Sequence, residues 1–249
     1  MFTQLDKLPP KVSALVSEYF QKVIHQFGEG VDSIYLYGSV ITLDYDPKRS
    51  DINSLILFDV FDFAKTRELH PIVKDGLKKR IVAPLCLAVD TFQRSADTFP
   101  LEFIEMKEKH LQIFGETSRL EALTIPRREL RTKIEEQLKG KLIRLRQVFM
   151  EQGGSNKDLL NILIDAQAQL IPVYRNLLRF LGEENPPLAK GEVLTLLEQR
   201  TPLATHPATK VFKHMRGEEK IPQDAVNGLF EDYVQLVFEL ATLIDGIEA

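Results

Sequence analysis

The first 115 residues change hydrophobic rhythm several times. In "PPKVSALVSEYFQKVIHQFGEG", Val12, Leu15, Val16, Tyr19, Phe20, Val23, Ile24 and Phe27 recur at i, i+3, i+4 and i+7, the pattern of one helix face. Pro9 and Pro10 suit the first turn of that helix and Gly28 its end. "VDSIYLYGS" is β-branched and aromatic and stops at Gly38, so it reads as a strand. "DINSLILFDV" reads as a second strand. "FAKTRELHPIVKDGLKKR" is a charged helix that Pro71 bends or shortens. "IVAPLCLAVDTF" is a third strand, and Pro84 places its start at a sheet edge. "FPLEFIEMKEKHLQIFGE" reads as a helix running into a short extended end.

After residue 115 the strand pattern disappears. "GETSRLEALTIPRRE" is a linker punctuated by Gly115 and Pro126. Leu130, Ile134, Leu138, Leu142, Leu145 and Phe149 form a long helical stripe that Gly153-Gly154 ends. Ser155 or Asn156 can cap the next helix, which carries Leu159, Leu163, Ala166, Leu170, Tyr174 and Leu177. Pro172 should kink that helix, and Gly182 suits its end. "AKGEVLTLLEQR", "PATKVFKHMRG" and "PQDAVNGLFEDYVQLVFELATLIDGI" add three more helices. The second half is therefore an antiparallel helical bundle, with no internal repeat and no low-complexity tract.

Composition narrows the function classes. The 249 residues suit one large domain or two ordinary ones, and 44% hydrophobic with 27% charged residues is enough for a packed core. A net charge of -4 argues against a nucleic-acid binder that works by charge alone, although a local basic groove stays open. One cysteine, Cys86, allows no intramolecular disulfide and fits a reducing cytoplasm. The start, "MFTQLDKLPP", has no signal-peptide pattern, and no run approaches the ~18 apolar residues that would span a bilayer.

The candidate chemistry lies between residues 34 and 58. Tyr37-Gly38-Ser39 ends the first strand, eleven residues (40 to 50) follow, and Asp51-Ile52-Asn53 opens the second. This segment resembles the nucleotidyltransferase superfamily typified by DNA polymerase beta. The pattern there is Gly-[Gly/Ser], a gap of similar length, then Asp-apolar-[Asp/Glu]-apolar. A small nucleotidyltransferase domain followed by helices looks like the aminoglycoside-type and antitoxin-type members. The resemblance implies Mg²⁺ ions held by paired carboxylates, which face one ligand because strand residues i and i+2 share a face. It implies a nucleotide-binding role for Gly38, whose bare Cα lets a phosphate approach, and for Ser39, whose hydroxyl can donate to it. A third carboxylate from a later strand would complete the site.

The sequence departs from that pattern in three places. The second carboxylate is Asn53, which removes one negative charge. The third carboxylate falls to Asp90, the only acid of the third strand and at its end. Residues 40 to 43 are Val-Ile-Thr-Leu, with no basic residue before Lys48, so the phosphate cradle is poor in charge. Asp44 and Asp46 could compensate only if their loop folds back. Asp59 is about 20 Å along the strand from Asn53.

Other residues carry less. His25, His70, His110, His206 and His214 have no zinc-like spacing, and Cys86 in "APLCLAV" reads as a core residue. Arg175-Asn176 resembles the start of the Arg-Asn-x-x-x-His nuclease motif of the HEPN family, but Phe180 stands where the histidine would be. Arg175 and Arg179 could face a cleft and meet a phosphate, and Lys141 with Arg144 or Arg146 in "KGKLIRLR" could reach a substrate, but both sets read first as solvated helix faces.

The expected architecture is α+β. Residues 1–118 form a mixed nucleotidyltransferase-type sheet with flanking helices, 119–127 a linker, and 128–249 a helical bundle closing one side of a cleft. Two function classes follow. One is transfer of a nucleoside monophosphate from an NTP to a hydroxyl acceptor, with Asp51, Asn53 and Asp90 as catalytic and metal-binding residues, Mg²⁺ as cofactor, and activity reduced or lost through Asn53. The other is a non-catalytic nucleotide-binding or protein-interaction module of the same fold. A structural adaptor that dimerises through the helices is a third, weaker reading.

Overall fold

Short-range pattern accounts for most of the elements in this computed structural model, which describes every residue except Met1, Leu43, Asp44, Lys48, Arg49, Gly153, Gly154, Asn185, Leu188, Glu248 and Ala249. The helix stop expected at Gly153-Gly154 and the loop acid Asp44 lie outside the described residues. The chain divides into two compact units, residues 1–125 and 126–249.

In the first unit, α1 (Pro10–Phe27) begins with Pro at N1 and ends at Gly28, whose φ of 53° suits a residue without Cβ. It buries Val12, Val16, Tyr19, Phe20 and Val23. Strands β1 (Val31–Tyr37), β2 (Asn53–Phe58), β3 (Leu85–Ala88) and β4 (His110–Phe114) form one sheet in the order β3-β2-β1-β4. β1 pairs antiparallel with both β2 and β4, whereas β2 pairs parallel with β3. Between the strands come α2 (Phe63–Leu77), α3 (Val89–Arg94) and α4 (Pro100–Glu108).

Both faces of the sheet are covered, so β1 and β2 read as near-continuous apolar runs. Ile34, Leu36, Ile52, Ile56 and Phe58 join the α1 side chains in one core. Tyr35, Leu55 and Leu57 face the other way and pack with Phe92, Phe103 and Met106. Tyr37 and Leu87 pack against this second core.

Four local expectations change. β2 begins at Asn53 rather than Asp51. Pro71 lies inside α2 without ending it. The third strand stops at Ala88, and Asp90 falls in the first turn of α3. The stretch expected as a linker carries the short helix α5 (Arg119–Ala122), and Leu120 and Leu123 fill the second core of the first unit.

The second unit is helical: α6 (Arg127–Gln152), α7 (Asn156–Phe180), α8 (Lys190–Arg200), α9 (His206–Met215) and α10 (Val226–Asp245). α7 packs against each of the other four. The α6 stripe runs through Leu130, Ile134, Leu138, Leu142 and Leu145 to Val148, while Phe149 stays partly exposed against the Phe230 ring. No helix among the described residues is long and apolar enough to cross a membrane.

Candidate functional site

Antiparallel pairing brings the two halves of the motif together. Tyr37, just before Gly38, pairs directly with Asn53. Gly38 has φ +80°, and a Cβ there would lie 3.2 Å from Asn53 Nδ2. The glycine is thus required twice, by its backbone angle and by the amide packed over it. Gly38–Ile41 forms a single tight turn that buries Val40. The Thr42 N–H and hydroxyl both donate to the Ser39 carbonyl, at 2.9 and 3.0 Å, fixing the exit from that turn. Within the following loop the Ser50 N–H donates to the Asp46 carbonyl at 2.7 Å, and Ser50 Oγ accepts from the Asp46 N–H at 3.0 Å. The Asp46 backbone is therefore engaged in the fold of its own loop.

Asp51 lies one residue outside the bridge between Ile52 and Ile81, so the extended run that carries Asn53 already includes its neighbour. Alternation gives Asp51 and Asn53 the same face of the chain. The Asp51 carboxylate is occupied by a guanidinium: Arg80 Nη1 lies 3.3 Å from Asp51 Oδ1. Both side chains are about half exposed, 48% and 51%, so the pair adds about 0–1 kcal/mol of stability. Its importance is positional. The Arg80 carbonyl accepts the Ile52 N–H at 2.8 Å, and Ile52 in turn accepts the Val82 N–H at 3.2 Å. Arg80 also takes φ +60°, unusual for a residue with a side chain. The tight turn after α2 supplies this geometry, with the Lys79 and Ile81 N–H groups donating to the Gly76 carbonyl.

Asp90 is not brought to this site. β3 runs parallel to β2, and Ala88 pairs with Phe58 at the far end from Asn53. Five residues of strand separate Phe58 from Asn53, about 17 Å. Asp90 is exposed there and binds Arg94 Nη2 at 2.6 Å. The segment that does approach the motif, Ile81-Val82-Ala83-Pro84-Leu85, contains no acid. Asp59, exposed just past β2, donates its N–H to the Gly30 carbonyl and is likewise remote.

A pair of divalent ions requires several anionic oxygens. Asp51 offers one carboxylate, already beside a guanidinium, and Asn53 offers an uncharged amide. Among the described residues no group of three His, Cys, Asp or Glu side chains could hold a metal. The described residues do not fit a two-ion centre. Sequence reasoning missed Arg80. Its one signal was the basic run Lys78-Lys79-Arg80 just ahead of the third strand.

Other candidates resolve into structure. Burial pushes the Cys86 thiol up to about 12, which removes it as a nucleophile at neutral pH. His110 pairs with Tyr37 across the sheet, and its Nδ1 lies 3.1 Å from the Met106 and Lys107 carbonyls. Arg179, expected on a solvated face, is only 9% exposed, and its Nη1 donates to Asn176 Oδ1 at 2.6 Å. Lys141 donates to Gln169 Oε1, Arg144 pairs with Glu151, and Arg146 lies over the Phe238 ring.

No family model and no curated protein matches the sequence. Among solved structures, the chain is similar to spectinomycin adenyltransferase AAD(9) from Enterococcus faecialis, solved with ATP and spectinomycin. The TM-score is 0.52 at 13% identity, over 93% of this chain and 98% of that one. At that identity the likeness concerns the fold. This is a nucleotidyltransferase-type mixed α/β sheet followed by a helical unit.

Proposed function

We propose that this chain is a nucleotidyltransferase-fold protein that binds a nucleotide at the Gly38–Asn53 site without transferring it by two-ion chemistry. The observation that carries the proposal is the Asp51–Arg80 ion pair, with an acid-free segment where the neighbouring strand approaches. A guanidinium beside the one remaining carboxylate repels the cations that transfer would need. The ATP held by the structural neighbour supports a nucleotide as ligand. The left-handed φ of Gly38, which has no Cβ, and the neighbouring Ser39 hydroxyl support the same reading.

The test is calorimetric titration of the four NTPs with Mg²⁺, with Mn²⁺ and with EDTA, alongside an assay for pyrophosphate release. Binding without turnover supports the proposal. Metal-dependent pyrophosphate release that Asp51→Ala abolishes would sink it and restore the second reading, transfer of a nucleoside monophosphate to a hydroxyl acceptor. That reading is favoured by the neighbour's identity as an adenyltransferase solved with ATP and spectinomycin.

A reducing cytoplasm remains the proposed location, in keeping with the free thiol of Cys86. Self-association through the helical unit belongs to the same proposal. Ile143 and Met150, one heptad apart on α6, are exposed apolar side chains there. Sedimentation equilibrium reads the outcome: a monomer at all concentrations removes this part.

A further inference from the structure

We infer that Arg80 stands in for the metal. A phosphate or pyrophosphate group is held directly by the Arg80 guanidinium, the Asn53 amide and the Ser39 hydroxyl, and Asp51 is one partner of the guanidinium when the site is empty. The inference rests on the nucleotide-binding reading above and gives that site its ligand chemistry.

The motif has changed from a set of acceptors into a set of donors. Where two carboxylates would gather cations, one position is an amide and the other is neutralised by a guanidinium 3.3 Å away. Asn53 Nδ2 lies beside Gly38, 3.2 Å from where a Cβ would stand. Among the described residues neither the Asn53 amide nor the Ser39 hydroxyl has a hydrogen-bond partner. Two donors and a cation therefore belong to residues at one end of the β1–β2 pair, and an oxyanion is a ligand that all three can hold.

Arg80 is held for this role by its backbone. Its carbonyl is locked to the Ile52 N–H, between Asp51 and Asn53, and the φ of +60° is kept by the turn after α2. A residue kept in the left-handed region without being glycine is a strained position maintained by its surroundings. The positive charge is thus part of the folded motif and needs no ion from solution.

The consequence separates this site from a metal centre. In a metal centre Asp51 helps to bind phosphate, by holding the cation. Here Asp51 competes with phosphate for the guanidinium, so removing its charge should strengthen binding.

The experiment titrates inorganic pyrophosphate, ATP and adenosine separately into the full chain in EDTA. Pyrophosphate and ATP are expected to bind, and adenosine is not. Asp51→Asn should tighten pyrophosphate about threefold or more. Arg80→Gln should weaken it roughly tenfold, and Arg80→Lys should recover part of the loss. Far-UV circular dichroism establishes that each variant is folded, and Asp51→Asn decides the matter even if Arg80→Gln is not. If ATP binds the native and Arg80→Gln chains equally, the nucleotide-binding reading stands and the role of Arg80 falls. The same holds if adenosine binds as well as ATP. Weaker binding in Asp51→Asn, or binding that requires Mg²⁺, overturns the inference in favour of a metal site. If neither ATP nor pyrophosphate binds the native chain, both readings fall.

Discussion

Gly76→Ala should destabilise the protein, although the same change on an exposed helix would stabilise it. Gly76 is the penultimate residue of α2 and is buried. Helix propensity alone favours Ala over Gly by about 1 kcal/mol. A Cβ at this position, however, would lie 2.5 Å from Tyr19 Cε2 and 3.2 Å from Cδ2, with the Ile81 carbonyl at 3.3 Å. Tyr19 cannot swing away. It is 3% exposed and packs edge-on against Phe20, with ring centroids 4.9 Å apart. Overpacking of this kind costs about 1–3 kcal/mol. A 2.5 Å approach belongs to the upper part of that range, about 2–3 kcal/mol, so subtracting the propensity gain leaves a net loss of about 1–2 kcal/mol. Urea denaturation followed by circular dichroism should show the midpoint falling by about half to one molar at unchanged slope. The double variant with Tyr19→Leu isolates the clash, because the two changes should be strongly non-additive. The site should respond as well, since the Gly76 carbonyl accepts the Lys79 and Ile81 N–H groups on either side of Arg80. A Gly76→Ala chain as stable as the parent would refute the reasoning.

Asn53→Asp alone should not create a metal site. Arg80 still neutralises Asp51, and the approaching segment still lacks an acid. Calorimetry with Mn²⁺ should show no binding, and clear Mn²⁺ binding would mean that Asn53 was the one missing element. Burial of Cys86 predicts a loss of stability at alkaline pH. The thiol, pushed up to about 12 when folded, favours the folded state fully below its unfolded pKa of about 8.5. That contribution is lost as pH rises from there through 12. Denaturation midpoints should therefore fall across this window. Cys86→Ala should flatten the fall relative to the parent, and an unchanged pH slope would show that the thiol contributes nothing.

Much of the molecule was legible because its signals are local. The α1 stripe, the apolar runs of β1 and β2 and the helical second half follow from neighbours within about four residues, and the structure keeps them. The junction near residue 120 was not legible in this way. Leu120 and Leu123 carry no periodic pattern, and only the hollow beside Tyr35 and Leu55 makes them core residues. Arg179 is similar. Its side chain reads as surface until Asn176 supplies a partner inside the helical unit.

The candidate site divides along the same line. By itself the sequence placed Gly38-Ser39 at the end of one strand and Asp51-Ile52-Asn53 at the start of the next, and the antiparallel register then pairs Tyr37 with Asn53. It also determined that a negative charge is missing at Asn53. Strand direction decided the rest. Because β3 runs parallel to β2, its start approaches Asp51 and its end carries Asp90 to the far side of the sheet. The same direction sets Arg80 against Asp51. Residues 29 apart in sequence are joined there by a turn whose geometry no local pattern encodes. A strand's sequence specifies which side chains share a face, but its polarity relative to a neighbour is fixed only when the sheet closes. The sign of the charge at this site is set by that polarity.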